Sequence, residues 1–86
     1  MDIIDLIAIV KKKLQSKIVI EKIDIEDKSF LHKNHSGHQE GKLHLKIIIN
    51  SDELKKLNKI ESNKRIYKVL YQEMKEYIHS LQILIS

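Results

Sequence analysis

Leu43-His44-Leu45-Lys46-Ile47-Ile48-Ile49-Asn50-Ser51-Asp52-Glu53 is the stretch that decides the fold. Leu43, Leu45, Ile47 and Ile49 alternate with His44, Lys46, Ile48 and Asn50, the period of two that marks a strand with one face in a core. Ser51 follows at once as a helix N-cap, with Asp52 and Glu53 in the first turn, where carboxylates suit the helix dipole. Upstream, Ile18 to Glu26 is rich in β-branched residues. Its alternation shifts phase between Ile20 and Ile23, which predicts a strand with a bulge, or one buried on both faces at its start. This strand pairs most simply antiparallel with Leu43–Asn50.

The flanks complete the architecture. Ile3, Ile7, Val10 and Leu14, widened by Ile4 and Leu6, recur at helical spacing and predict a first helix from an Asp2 cap to about Gln15. Lys11, Lys12 and Lys13 fall in its last turn, where cations suit the dipole. Leu54 and Leu57 edge the short helix after Ser51, and a polar joint, Asn58 to Asn63, leads into the longest helix. Ile66, Val69, Leu70, Met74 and Tyr77 mark the buried side of that helix, with Tyr67 and Tyr71 flanking it. From His79 to Ile85 the alternation returns as a third strand. The expected order is α-β-β-α-α-β. It gives an α+β fold, a single small domain over residues 1–86, with helices on one face of a three-stranded sheet.

Composition narrows the function. Of 86 residues, 42% are hydrophobic and 33% charged, the balance of a globular chain. No run approaches the roughly 18 apolar residues of a membrane span. The acidic N-terminus does not resemble a signal peptide, so a cytoplasmic location is expected. With no cysteine there is no disulfide, no thiol nucleophile and no thiolate ligand. The net charge of +4 is carried almost wholly by lysine, which suits a solvated surface better than base readout. No nucleophilic triad, carboxylate pair or phosphate loop can be assembled, so the chain is expected not to be an enzyme.

Chemistry concentrates between Asp27 and His44, which holds four of the five histidines, His32, His35, His38 and His44, and both glycines, Gly37 and Gly41. The fifth histidine is His79. The loop histidines could hold zinc or copper alone, but Glu40 is the one carboxylate beside them, and autonomous metal binding is the lesser reading. For His44 the favoured reading is structural: a partly buried side chain bonded to the loop backbone, facing away from Leu43 and Leu45.

Four motifs in order resemble the BolA-like family over nearly the whole chain. Asp27-x-Ser29-x-x-His32 is similar to the first-loop signature of that family, whose sixth position is histidine or cysteine. His44 heads a strand that ends in Asn50-Ser51-Asp52, similar to the family's strand and helix cap. Ile78-His79-Ser80-Leu81 resembles its C-terminal Ile-His-Ala-Leu. The spacing His32-x-x-His35-x-Gly37-His38 resembles the longer loop of bacterial BolA and its mitochondrial counterpart. The chain departs from the pattern where the family's Arg-His-Arg is replaced by Ser62-Asn63-Lys64.

The resemblance implies a class II KH-like fold and an adaptor that pairs with a monothiol glutaredoxin. The two proteins would share a 2Fe-2S cluster in iron–sulfur trafficking or iron sensing. Glutaredoxin and glutathione would supply thiolates, and this chain imidazole nitrogen. By position the ligands would be His32 and His79, with His35 and His38 as substitutes for His32. Alone, the chain would be a monomer or weak homodimer with no bound cluster. The alternative that the family also suggests is a DNA-binding transcriptional regulator, using the inter-helix cations Lys55, Lys56, Lys59, Lys64, Arg65 and Lys68. The region lacks the Gly-x-x-Gly of a working KH domain, since Gly37 and Gly41 are spaced otherwise and lie between strands.

Overall fold

The computed structural model describes residues 2–29 and 43–86. His32, His35, His38, Gly37, Glu40 and Gly41 lie outside them. The element order is α1 (Ile3–Lys17), β1 (Lys22–Asp27), β2 (Leu43–Asn50), α2 (Asp52–Lys55), α3 (Lys59–Val69), α4 (Tyr71–Glu76) and β3 (Ile78–Ile85). The strands form one sheet in the order β1-β2-β3. β1 runs antiparallel to β2, whereas β3 returns through the helices to lie parallel to it, as a crossover connection requires.

The β2 alternation has the expected consequence. Leu45, Ile47 and Ile49 are buried, and in register they meet Ile25 and Ile23 on one side and Leu81, Ile83 and Ile85 on the other. Leu6, Val10 and Leu14 of α1, Leu54 of α2, and Ile66 and Leu70 close this face into one core. The opposite face carries Asp24, Glu26, Lys46, Ile48, Gln82 and Leu84.

Several boundaries differ from the sequence expectation for identifiable reasons. β1 begins at Lys22, not Ile18. Ile18 instead closes α1, its N–H bonded to the Leu14 carbonyl at 2.9 Å with its side chain buried, and Val19 is 68% exposed. The phase shift is therefore a connection between two elements, not a bulge in one strand. The face of α1 centres on Leu6, Val10 and Leu14, while Ile4 is 73% exposed. Asp2 stands at the N-cap, but its side chain makes no capping bond; its carbonyl accepts from Leu6 instead. Because α1 continues to Lys17, Lys11–Lys13 are not its last turn, and Lys13 instead pairs with Glu73.

The polar joint shrinks too. Asn58 caps α3, its side chain accepting from the Glu61 N–H at 2.8 Å, so Lys59 to Asn63 is already helical. The long helix is broken once, at the buried Leu70 (φ −98°, ψ 17°), although Leu70 N–H still reaches Ile66 and Met74 N–H still reaches Leu70. Ser51 caps α2 as the sequence indicates. Its hydroxyl accepts from Leu54 at 3.2 Å and donates to the Val19 carbonyl at 2.7 Å.

Candidate functional site

The site is built at the point where β2 and β3 begin. Leu43 pairs with Ile78 and His44 with Ser80, so His79 is an extra residue in the ladder. A bulge of this kind re-aims the side chain it extrudes. Ile78 on one side is buried and His79 is exposed.

His44 supports it from the neighbouring strand. The two imidazole rings lie edge to face, with centroids 5.0 Å apart and planes at 68°. His44 is only 4% exposed, and its Nδ1 sits 2.6 Å from the Ser80 hydroxyl. A hydroxyl can give or take a proton in a hydrogen bond, so this contact fixes the ring in either tautomer. The structural reading of His44 is met in its burial, and its ring is bonded to a β3 hydroxyl; a bond to the loop backbone over 30–42 lies outside the described residues.

The end of β1 is fastened to the same point. Asp27 Oδ1 accepts from the Ser29 N–H at 2.9 Å, and Ser29 Oγ in turn accepts from the His44 N–H at 3.0 Å. The His44 carbonyl accepts from Lys28 at 2.7 Å. Asp27 and Ser29 of the loop motif thus hold the chain where it leaves β1, beside the two imidazoles. Among the described residues, no three histidine or carboxylate side chains converge as a metal site. What the described residues offer is one exposed imidazole backed by a second that is anchored.

The six inter-helix cations do not form one surface. Lys55 and Lys59 line a groove of ≈ 400 Å³ over Leu54, Leu57 and the edge of β3. Arg65 and Lys68 lie on the other flank of α3, in a cleft against α1. Lys56 and Lys64 are exposed and line neither. A helix advances about 100° per residue, and that separates Lys59 and Asn63 from Arg65 and Lys68.

Sequence reasoning passed over Glu73, which is buried and takes an ion pair from Lys13 at 2.6 Å. The signal was present: Glu73 stands seven residues after Ile66, on the buried side of the helix.

The family described as "BolA-like protein" matches residues 14–86. The chain belongs to the BolA-like family. A curated relative, the DNA-binding transcriptional regulator BolA of Haemophilus influenzae, is 31% identical over 75 residues, covering 87% of this chain and 70% of that protein. Among solved structures, this BolA-like chain superposes on the BolA domain of SufE1 from Arabidopsis thaliana with a TM-score of 0.77 and 25% identity. That match covers 92% of this chain and 87% of the other. BolA1 from Arabidopsis thaliana gives 0.75 and 24% over the same shares, which supports the fold. The family is generally one of non-enzymatic regulators or adaptors. No helix among the described residues is long and apolar enough to cross a membrane.

Proposed function

We propose that this BolA-like chain is a non-enzymatic cytoplasmic adaptor that docks on a monothiol glutaredoxin and lends imidazole nitrogen to a shared 2Fe-2S cluster. The observation that carries the reading is the bulge at His79, which turns one histidine out of a strand whose inward residues are apolar. The donor set suits a contributor and not a sole owner. The chain has nitrogen ligands and no cysteine, so thiolates must come from the partner and its glutathione. When bound, such a cluster has a higher reduction potential with imidazole on one iron than with thiolate alone.

The residues divide the work. His79 presents the nitrogen. His44, held by Ser80, backs the His79 ring, so less side-chain freedom is lost on binding. The second ligand is His32, with His35 or His38 able to take its place; Asp27 and Ser29 anchor the strand end from which that segment departs.

The test is anaerobic mixing with a cluster-loaded monothiol glutaredoxin, followed by visible circular dichroism and by EPR of the reduced form. A new spectrum that His79→Ala abolishes, and His32→Ala alters, is the expected result. If the glutaredoxin spectrum is unchanged by the wild-type chain, the reading fails.

A second reading has its own support, the relative whose name describes DNA binding. For it, phosphates would run along the Lys55 and Lys59 groove beside the β3 edge. Duplex binding that falls steeply with salt, with Lys55→Glu and Lys59→Glu weakening it, would favour this reading.

A further inference from the structure

The cleft between α1 and α3 gathers four cationic side chains. Its lining is Lys13 and Lys17 from α1, and Arg65, Lys68 and Val69 from α3. At ≈ 520 Å³ it lies within the range of about 300–1,000 Å³ typical of small-ligand pockets. It shares no residue with the His44–His79 site, so it stands or falls separately from the cluster reading.

Charge accounting selects the ligand. Lys13 is paired with Glu73 at 2.6 Å, and Arg65 lies 3.7 Å from Glu53. Lys17 and Lys68 have no ion-pair partner among the described residues. Two cations therefore remain uncompensated across one concave surface whose floor is Val69 and the aliphatic stems of the lysines. A single carboxylate brings one charge, whereas a phosphate monoester brings about two near neutral pH, with several strong acceptor oxygens and an organic body for the apolar floor.

We propose that the α1–α3 cleft binds a phosphate ester, with Lys17 and Lys68 gripping the phosphate and Arg65 adding a forked donor. The ligand is a free phosphate monoester of nucleotide type; the phosphates of a nucleic-acid strand, which belong to the DNA-binding reading, are the contrary outcome of the test.

The test titrates the intact chain at low salt with AMP, by calorimetry, and with a labelled short oligothymidylate carrying a 5′-phosphate, by fluorescence anisotropy. Variants are Lys17→Glu, Lys68→Glu, the two together, and Lys22→Glu with Lys75→Glu as an equally charged control outside both grooves. All four side chains are exposed, and far-UV circular dichroism verifies folding. We expect the Lys17→Glu/Lys68→Glu pair to lose at least about tenfold in affinity while the control pair retains it. AMP binding that the cleft pair loses supports the proposal, whereas strand binding without AMP binding overturns it in favour of the DNA-binding reading. The proposal is overturned if neither probe binds the wild-type chain, if the cleft variant binds as tightly as wild type, or if only the control pair weakens binding.

Discussion

Removing the Lys13 ammonium tests how the helical layer is held together. Lys13 and Glu73 are 60 residues apart in sequence, and their 2.6 Å contact joins α1 to α4. The Glu73 side chain is 8% exposed and that of Lys13 is 41% exposed, so the carboxylate has lost most of its water while the ammonium has kept much of its own. Among the described residues Glu73 Oε1 has no hydrogen-bond partner, which leaves the Lys13 contact as compensation for the buried charge. At an effective dielectric of about 20, unit charges at this distance attract by about 6 kcal/mol, most of it offset by desolvation. Breaking a fully buried pair costs about 3–5 kcal/mol; the half-exposed lysine reduces that to about 2 kcal/mol for Lys13→Met.

For a domain of this size about 2 kcal/mol corresponds to a loss of about 8–16 °C in Tm. The assay is urea denaturation of Lys13→Met, Glu73→Met and the double variant, followed by far-UV circular dichroism at constant m-value. Because an apolar pair of similar volume replaces a buried ion pair at little cost, the double variant should lie within about 1 kcal/mol of wild type. The non-additivity is the signature of the pair. A neutral Lys13→Met, or a double variant as unstable as the sum of the singles, would refute the argument.

Ser51→Ala removes both the cap on Leu54 and the bond to the Val19 carbonyl, and should cost about 1–2 kcal/mol in the same denaturation assay. Ile47→Ala opens a hole in the middle strand between Ile25 and Ile83 and should cost about 2–5 kcal/mol, with an unchanged m-value marking a pure stability effect. His79→Ala alters an exposed side chain and should leave stability within about 0.5 kcal/mol. Loss of partner binding in His79→Ala then reports ligation and not unfolding.

What could be read from the sequence depended on whether a pattern had competitors. β2 was legible residue by residue, since strict alternation ending in a Ser-Asp-Glu cap has one physical solution. Ile18-Val19-Ile20 was not. A short β-branched run looks like a strand, and only the structure shows that Ile18 belongs to the end of α1 while Val19 faces solvent. Glu73 was missed because a carboxylate on a buried helix face runs against hydrophobic patterning. Its partner, Lys13, was absorbed into an apparent end-of-helix cluster. The exposed His79 was singled out through family resemblance, whereas its pairing with His44 required the register. Alternation placed the His44 side chain opposite Leu43 and Leu45, but nothing in the sequence showed it bonded to Ser80. Of six lysine and arginine positions clustered in sequence, four fall into two different grooves, Lys55 and Lys59 in one and Arg65 and Lys68 in the other, while Lys56 and Lys64 line neither.

The exposure of His79 follows from the apolar phase of β3. Ile78 is buried, and so in part are Leu81, Ile83 and Ile85, while His79, Ser80, Gln82 and Leu84 are exposed. The step from Ile78 to Leu81 is three residues, and a regular strand repeats every two. Without an extra residue, placing Ile78 inward would turn Leu81, Ile83 and Ile85 to the wrong face. The bulge between Leu43/His44 and Ile78–Ser80 resolves the conflict by extruding one position, and that position is 79. Any side chain there would be turned outward. What the histidine adds is a nitrogen donor at a place the packing of the core has already fixed. His79→Ala should therefore keep the register of β3, with amide protection along Leu81–Ile85 unchanged. Leu81→Ser, Ile83→Ser or Ile85→Ser, by weakening the inward phase, should loosen it even though the imidazole is untouched.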